Sequence, residues 1–139
     1  MLILDTNVLS ALMRPEMNEA IVAWVDRQPA LMIWSTSVSL MEIWTGLNLM
    51  PAGRRKDTLS EGFARLRLSL LSNRVLAFDG AAAEQASRVA ALQMARGVNA
   101  DIGDYQIAGI TLARTATLAT RNVRDFDGLG LALVNPWDD

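Results

Sequence analysis

Two rhythms of apolar residues alternate along the chain, and that alternation limits its fold more than any other feature. Short unbroken runs such as Leu2-Ile3-Leu4 carry no polar residue at every second position. Strands of that kind are buried on both faces, as in a parallel sheet. Between them lie longer stretches with apolar residues three and four apart, the spacing of a helix that buries one face. Strands are expected at Leu2–Leu4, Leu31–Trp34, Val75–Phe78, Thr117–Thr120 and Leu131–Val134. Helices are expected at Asn7–Met13, at Glu19–Gln28 ahead of Pro29, and from an N-cap at Ser37 through Glu42 to Met50. Three more are expected: Thr58–Leu71 with Leu59, Phe63, Leu66 and Leu70 on one face, Ala81–Arg96 closed by Gly97, and one opened by Asp101 or its neighbour and running through Leu112. Alternating strand and helix implies an α/β fold, a parallel sheet of about five strands sandwiched by helices. No repeat or linker divides the 139 residues, so a single domain, 1–139, is expected.

The composition removes whole classes of chemistry. Histidine and cysteine are both absent, which excludes a Ser-His-Asp triad, a cysteine nucleophile and a His-based zinc site. Lys56 is the only lysine among thirteen basic residues, and Arg54-Arg55-Lys56 is the densest basic cluster. Hydrolysis is left to carboxylates, hydroxyls and arginines, and carboxylates with Mg²⁺ or Mn²⁺ are the natural combination. The net charge of −2 argues neither for nor against a nucleic acid partner. No apolar run approaches the length of a membrane span. Met1-Leu2-Ile3-Leu4-Asp5 does not read as a secretory leader, so a cytoplasmic location is expected.

The acids fall where such a fold keeps its sites. In open α/β sheets, ligands bind outside the carboxyl ends of the strands. Asp5 follows the first expected strand, and Asn122 and Asp125 follow the fourth. Glu42 lies near the start of the helix after the second strand, and Asp104 in the first turn of the helix before the fourth. Asp104 shares its helix face with Ile107, Ala108, Thr111 and Leu112, and Glu42 has Val38, Met41 and Ile43 around it. Acids on such faces cost several kcal/mol unless paired or protonated. Acids that converge also raise one another's pKa. A divalent cation relieves both effects. Each acid also has an ordinary structural reading: Asp5 as a helix cap, Glu42 as a partly exposed helix residue, Asp104 as a partner of the helix dipole. Asp101 reads as an ordinary N-cap.

The motifs themselves resemble those of the PIN-domain family, in the VapC and FitB-like branch of ribonuclease toxins. Met1-Leu-Ile-Leu-Asp5-Thr6-Asn7 resembles the family's opening strand, and Ser37-Val38-Ser39-Leu40-Met41-Glu42 with Gly46 its second motif. Asp104-Tyr105-Gln106-Ile107-Ala108 is similar to the third, and Ala119-Thr120-Arg121-Asn122-Val123-Arg124-Asp125-Phe126 to the fourth. Asn135-Pro136-Trp137 matches a frequent ending of the branch. The resemblance implies a parallel sheet between helices and Mg²⁺- or Mn²⁺-dependent cleavage of RNA. It carries catalytic roles onto Asp5, Glu42 and Asp104, with Asp5 and Asp104 as the principal metal ligands and Glu42 assisting. The fourth position falls to Asn122 or Asp125, since some relatives have Asp where this chain has Asn122. It further implies a VapB-like antitoxin whose C-terminal segment blocks the site, a homodimer, and higher toxin–antitoxin assemblies. Trp44, Leu47, Leu49 and Met50 are an apolar stretch near Glu42 that suits such a partner, although core packing is the expectation for Leu47. Arg121 and Arg124 either steer RNA or pair with nearby acids. Thr6 is expected to bond a metal ligand or the phosphate, and Asn7 to brace the turn.

Three other classes compete. A non-catalytic binding module on the same fold predicts no metal-dependent cleavage. A phosphoacceptor receiver needs a Lys after its last strands, whereas Lys56 stands in the first half of the chain. A phosphatase with a strand-end Asp nucleophile wants a second Asp where Asn7 stands.

Overall fold

A computed structural model describes residues 1–138. Five parallel strands form one sheet in the order β3-β2-β1-β4-β5. They are β1 Leu2–Leu4, β2 Ile33–Thr36, β3 Val75–Leu76, β4 Thr117–Ala119 and β5 Ala132–Val134. The helices are α1 Thr6–Leu12, α2 Glu19–Asp26, α3 Ser37–Leu49, α4 Arg54–Arg65, α5 Gly80–Ala95, α6 Ile102–Ala113 and α7 Val123–Phe126. Among the described residues no helix is long and apolar enough to cross a membrane.

The unbroken apolar character of β1 follows from its place at the centre. Leu2 and Leu4 point into a core shared with α1, α2, α3 and α4, while Ile3 points the other way, into a core built on α5 and α6. One tripeptide thus anchors both layers. The chain builds outward from β1 to β2 and β3, then returns to lay β4 and β5 on the opposite side. The reversal between β1 and β4 is a topological switch point, where a crevice opens at the carboxyl edge. The ladder continues past the strand ends, with Asp5 N donating to the Ala119 carbonyl at 3.0 Å and Thr120 N to the Val134 carbonyl at 3.0 Å.

Several boundaries differ from expectation, each for a physical reason. Leu31 and Met32 belong to a 3₁₀ turn, Ala30–Met32, and Leu31 is 81% exposed. β2 instead runs on through Ser35 and Thr36, which are polar but fully buried. The Ser35 hydroxyl donates to the Leu4 carbonyl at 2.8 Å, and Thr36, not Ser37, caps α3 by accepting from Ser39 N at 3.0 Å. The start of β2 is clamped by Arg74, which donates to the carbonyls of Ile33, Ala30 and Leu70. α4 begins at Arg54 and passes into a π-helical turn, Leu66–Leu70, closed by Leu71 N on the Leu66 carbonyl at 2.9 Å. The wider turn shifts the buried stripe by one residue, so Leu71 is fully buried where Leu66 and Leu70 are only half-buried. Gly97, at φ +70°, follows α5 as expected. Across the second core α5 and α6 pack closely at Gly109, where a Cβ would lie 2.7 Å from Ala86 Cβ.

Candidate active site

The site grows from the carboxyl end of β1. Asp5 leaves the strand in extended conformation and caps α1, its Oδ1 accepting from Thr6 N at 2.8 Å. Its Oδ2 accepts from the Thr120 hydroxyl at 2.8 Å and from Asn7 Nδ2 at 3.4 Å. An ionised carboxylate has about four acceptor positions, so Asp5 keeps capacity for a further partner on Oδ1. It is only 4% exposed. Burial pushes its pKa up, the bonds from Thr120 and Thr6 pull it back, and the charge of Asp125 adds to the rise.

The loop after β4 is tied to the loop after β1. Thr120, wholly buried, spends its hydroxyl proton on Asp5 and accepts from Asn7 Nδ2 at 3.2 Å and from Asn122 N at 3.0 Å. Asn7 Oδ1 accepts from Arg121 N at 3.2 Å. Asn7 therefore braces the turn, as its position after the strand implied. Thr120 stands within the motif read from the sequence, but nothing there signalled that its hydroxyl holds Asp5.

On the other flank α3 presents Glu42. Thr6 Oγ1 lies 3.2 Å from Glu42 Oε1 and 2.9 Å from Ser39 Oγ. With one proton to give, Thr6 donates to Glu42 while Ser39 donates to Thr6. Burial raises the Glu42 pKa first, opposed by the Thr6 bond, and the charges of Asp5 and Asp101 add to the rise.

α6 brings two acids. Asp104 is half-buried, and its carboxylate makes no hydrogen bond among the described residues; burial, then Asp5, Asp125, Asp101 and Glu42, push its pKa up to about 6. Asp101 has the extended backbone of an N-cap but makes no capping side-chain bond. Both its carboxylate and that of Glu42 overlie Gly103, where a Cβ would sit 3.3 Å from Asp101 Oδ2 and 3.4 Å from Glu42 Oε1. Asp101 thus belongs with the other acids, a correction to its reading as an ordinary cap. The signal available was the missing side chain at Gly103, which leaves the two carboxylates room.

Asn122 and Asp125 differ in what they contribute. The exposed Asn122 offers its backbone N–H to Thr120, and its side chain makes no hydrogen bond among the described residues. Asp125, at the start of α7, reaches Asp5 and Asp104 electrostatically. Among the described residues Arg121 and Arg124 pair with no acid. Arg121 instead stacks on Trp137, 5.1 Å from the ring centroid.

Among the described residues none of these five acids is in an ion pair; the two salt bridges, Glu84–Arg88 and Asp79–Arg114, lie elsewhere. Among the described residues no three acids are gathered closely enough to hold a metal ion. Two depressions flank the acids. One, of about 510 Å³, runs from Thr6, Asn7 and Glu42 past Gly46, Leu47 and Met50 to Arg121 and Trp137. The other, of about 460 Å³, holds Asp101, Asp104, Arg124 and Asp125. Of the apolar stretch near Glu42, Leu47 is core, Met50 is half-buried, and Trp44 and Leu49 are exposed at 42% and 81%.

The chain is similar to known proteins along its length. The PIN domain family matches residues 2–130. VapC ribonuclease Y4jK of Sinorhizobium fredii is 33% identical over 138 residues, 99% of each chain. Toxin FitB of Neisseria gonorrhoeae is 31% identical over 139 residues, all of each chain. The structure of FitAB bound to an IR36 DNA fragment superposes with a TM-score of 0.87 at 31% identity, covering 99% of this chain and 96% of that one.

Proposed function

The chain belongs to the PIN domain family, in its VapC and FitB-like branch, and from that premise we propose that it is a divalent-metal-dependent endoribonuclease and the toxin of a type II toxin–antitoxin pair. One observation carries the reading: five carboxylates stand within electrostatic reach of one another at the sheet's switch point, and among the described residues none of them is in an ion pair.

The donor set fits a hard cation. Oxygen ligands in a partly dry cleft suit Mg²⁺ or Mn²⁺, and the raised pKa values at Asp5, Glu42 and Asp104 record burial first and mutual repulsion second, both of which such an ion offsets. Asp5 and Asp104 are the principal ligands in this reading, with Glu42 and Asp125 completing the set. When bound, the ion supplies positive charge for the scissile phosphate and acidifies the attacking water. The chain's own residues prepare the site. Thr120, Asn7 and the Thr6 N–H fix the Asp5 carboxylate at the end of β1. Thr6 orients Glu42, and Gly103 leaves room for the carboxylates of Glu42 and Asp101. Hydrolysis that breaks the P–O3′ bond leaves a 5′-phosphate and a 3′-hydroxyl.

The same reading includes an antitoxin whose C-terminal segment occupies the depression beside Glu42, a homodimer, and action on cytoplasmic RNA. The structural relative FitAB, an assembly bound to DNA, supports a partner of this kind.

The test is RNA cleavage by protein purified free of antitoxin, with Mg²⁺, with Mn²⁺ and with chelator, beside Asp5→Asn and Asp104→Asn proteins. Cleavage in either metal, abolished by chelator and reduced at least about 100-fold by each substitution, is expected. Cleavage indifferent to chelator, or to either substitution, refutes the mechanism. No cleavage under any condition favours a binding module.

A further inference from the structure

A second groove, of about 680 Å³, adjoins the one beside Glu42 and shares Met13, Arg14 and Leu59 with it. Its charged lining is Arg14, Arg54, Arg55 and Arg65, with Glu16 the only acid. Among the described residues none of the four guanidiniums is in an ion pair. The protein as a whole is acidic, with a net charge of −2, so four unpaired cations in one depression depart from its average.

Folding does not explain their placement. Arg54, Arg55 and Lys56 open α4, the end of a helix where the dipole favours acids, and only Asp57 offsets them in that first turn. Gly62 lets α4 approach the end of α1; a Cβ there would meet the Met13 carbonyl at 3.3 Å. That approach sets Arg65 and the opening of α4 against Arg14 and walls the groove.

We propose that this groove is a track for the phosphodiester backbone of a single-stranded RNA whose scissile bond lies at the acids. The proposal rests on the ribonuclease reading and extends it by giving the strand a direction: from the acidic centre, past Arg121 stacked on Trp137, over Met13 and Leu59, and in among the four arginines. Guanidinium forks suit phosphate oxygens. A stacked Arg–Trp pair at the mouth gives a base a flat surface to lie on. Continuity with the acidic centre favours a nucleic acid strand over an acidic peptide, because a strand cut at the acids must continue beyond them.

The experiment measures binding of a labelled oligouridylate of about twelve nucleotides in chelator, across a salt series, by fluorescence anisotropy. The wild type is compared with Arg54→Gln/Arg55→Gln and with Arg54→Lys/Arg55→Lys. Each phosphate contact to a single strand contributes about −0.7 to the slope of log K against log salt. Loss of two contacts therefore lowers the slope by about 1.4 and weakens binding about 25-fold at 0.1 M salt. The Lys pair keeps the slope, and a uridylate trimer binds both variants as it does the wild type. A melting temperature equal to that of the wild type verifies the fold. Cleaving, RNA-binding protein whose slope the Gln pair leaves unchanged overturns the track while the ribonuclease reading stands. Loss of affinity confined to a hexaglutamate peptide also overturns it, marking the groove as a peptide site. Wild-type protein that neither binds nor cuts RNA overturns both.

Discussion

Replacing Asp104 by Asn tests the proposed electrostatics without relying on catalysis. The Asp104 carboxylate makes no hydrogen bond among the described residues, so its replacement removes no bonded partner, and its pKa is raised from 3.8 to about 6 by burial and by four neighbouring acids. An acid whose folded-state pKa lies above its unfolded value binds its proton more tightly when folded. The folded state then carries no penalty below pH 4, a growing one as pH climbs towards 6, and the whole of it above. At about 1.4 kcal/mol per pKa unit the full shift corresponds to about 3 kcal/mol. Asp104 is half-exposed, and its charge gains some favour from the helix dipole, so we take about 1–2 kcal/mol as the working figure.

Metal-free Asp104→Asn protein is therefore expected to be more stable than the wild type at pH 7.5 by that amount. For 139 residues this is a rise of about 3–7 °C in melting temperature. The gain shrinks as pH falls and vanishes near pH 4. Saturating Mg²⁺ or Mn²⁺ raises the wild-type melting temperature but moves the variant much less. Thermal melts between pH 4 and 8, with chelator and with metal, decide the matter. A variant less stable than the wild type at pH 7.5 without metal, or an equal gain at pH 4, refutes the account of Asp104 as a carboxylate held against repulsion.

Thr120→Val strips Asp5 of one of its two shortest donors, leaves Asn122 N without its acceptor and Asn7 Nδ2 with only the longer bond to Asp5; a loss of about 1–3 kcal/mol by chemical denaturation is expected, with the acid limb of the RNase pH profile moved upward as the Asp5 pKa rises further. Gly109→Ala places a Cβ 2.7 Å from Ala86 Cβ, so the overpacking of α5 against α6, about 1–3 kcal/mol, outweighs the gain of about 1 kcal/mol in helix propensity, and the melting temperature falls.

The layered architecture was legible because a central parallel strand has to be apolar on both faces, and Leu2-Ile3-Leu4 could satisfy little else. β2 was misplaced for the converse reason. Burial there follows hydrogen bonding, so Ser35 and Thr36 lie in the core while Leu31 does not. The shift at the end of α4 was hidden because Leu66, Leu70 and Leu71 fit a helical stripe equally well on paper, and only packing selects Leu71.

At the site, a residue's distance from a strand end could be read, but not which chain-distant oxygens meet. Asp5 and Thr120 are 115 positions apart, and Asp101 carries the same signal whether it caps α6 or faces Glu42. What joins them is strand order, which apolar runs do not encode. Because β1 lies between β2 and β4, Asp5 has Glu42 on the flank served by β2 and Asp125 on the flank served by β4, with Asp104 also within electrostatic reach. A sheet of the same five strands with β1 at its edge would leave Asp5 open on one side, with less burial and fewer like charges to raise its pKa. The raised values therefore report topology as much as local chemistry, and a cation held at the switch point would draw on both halves of the sheet at once.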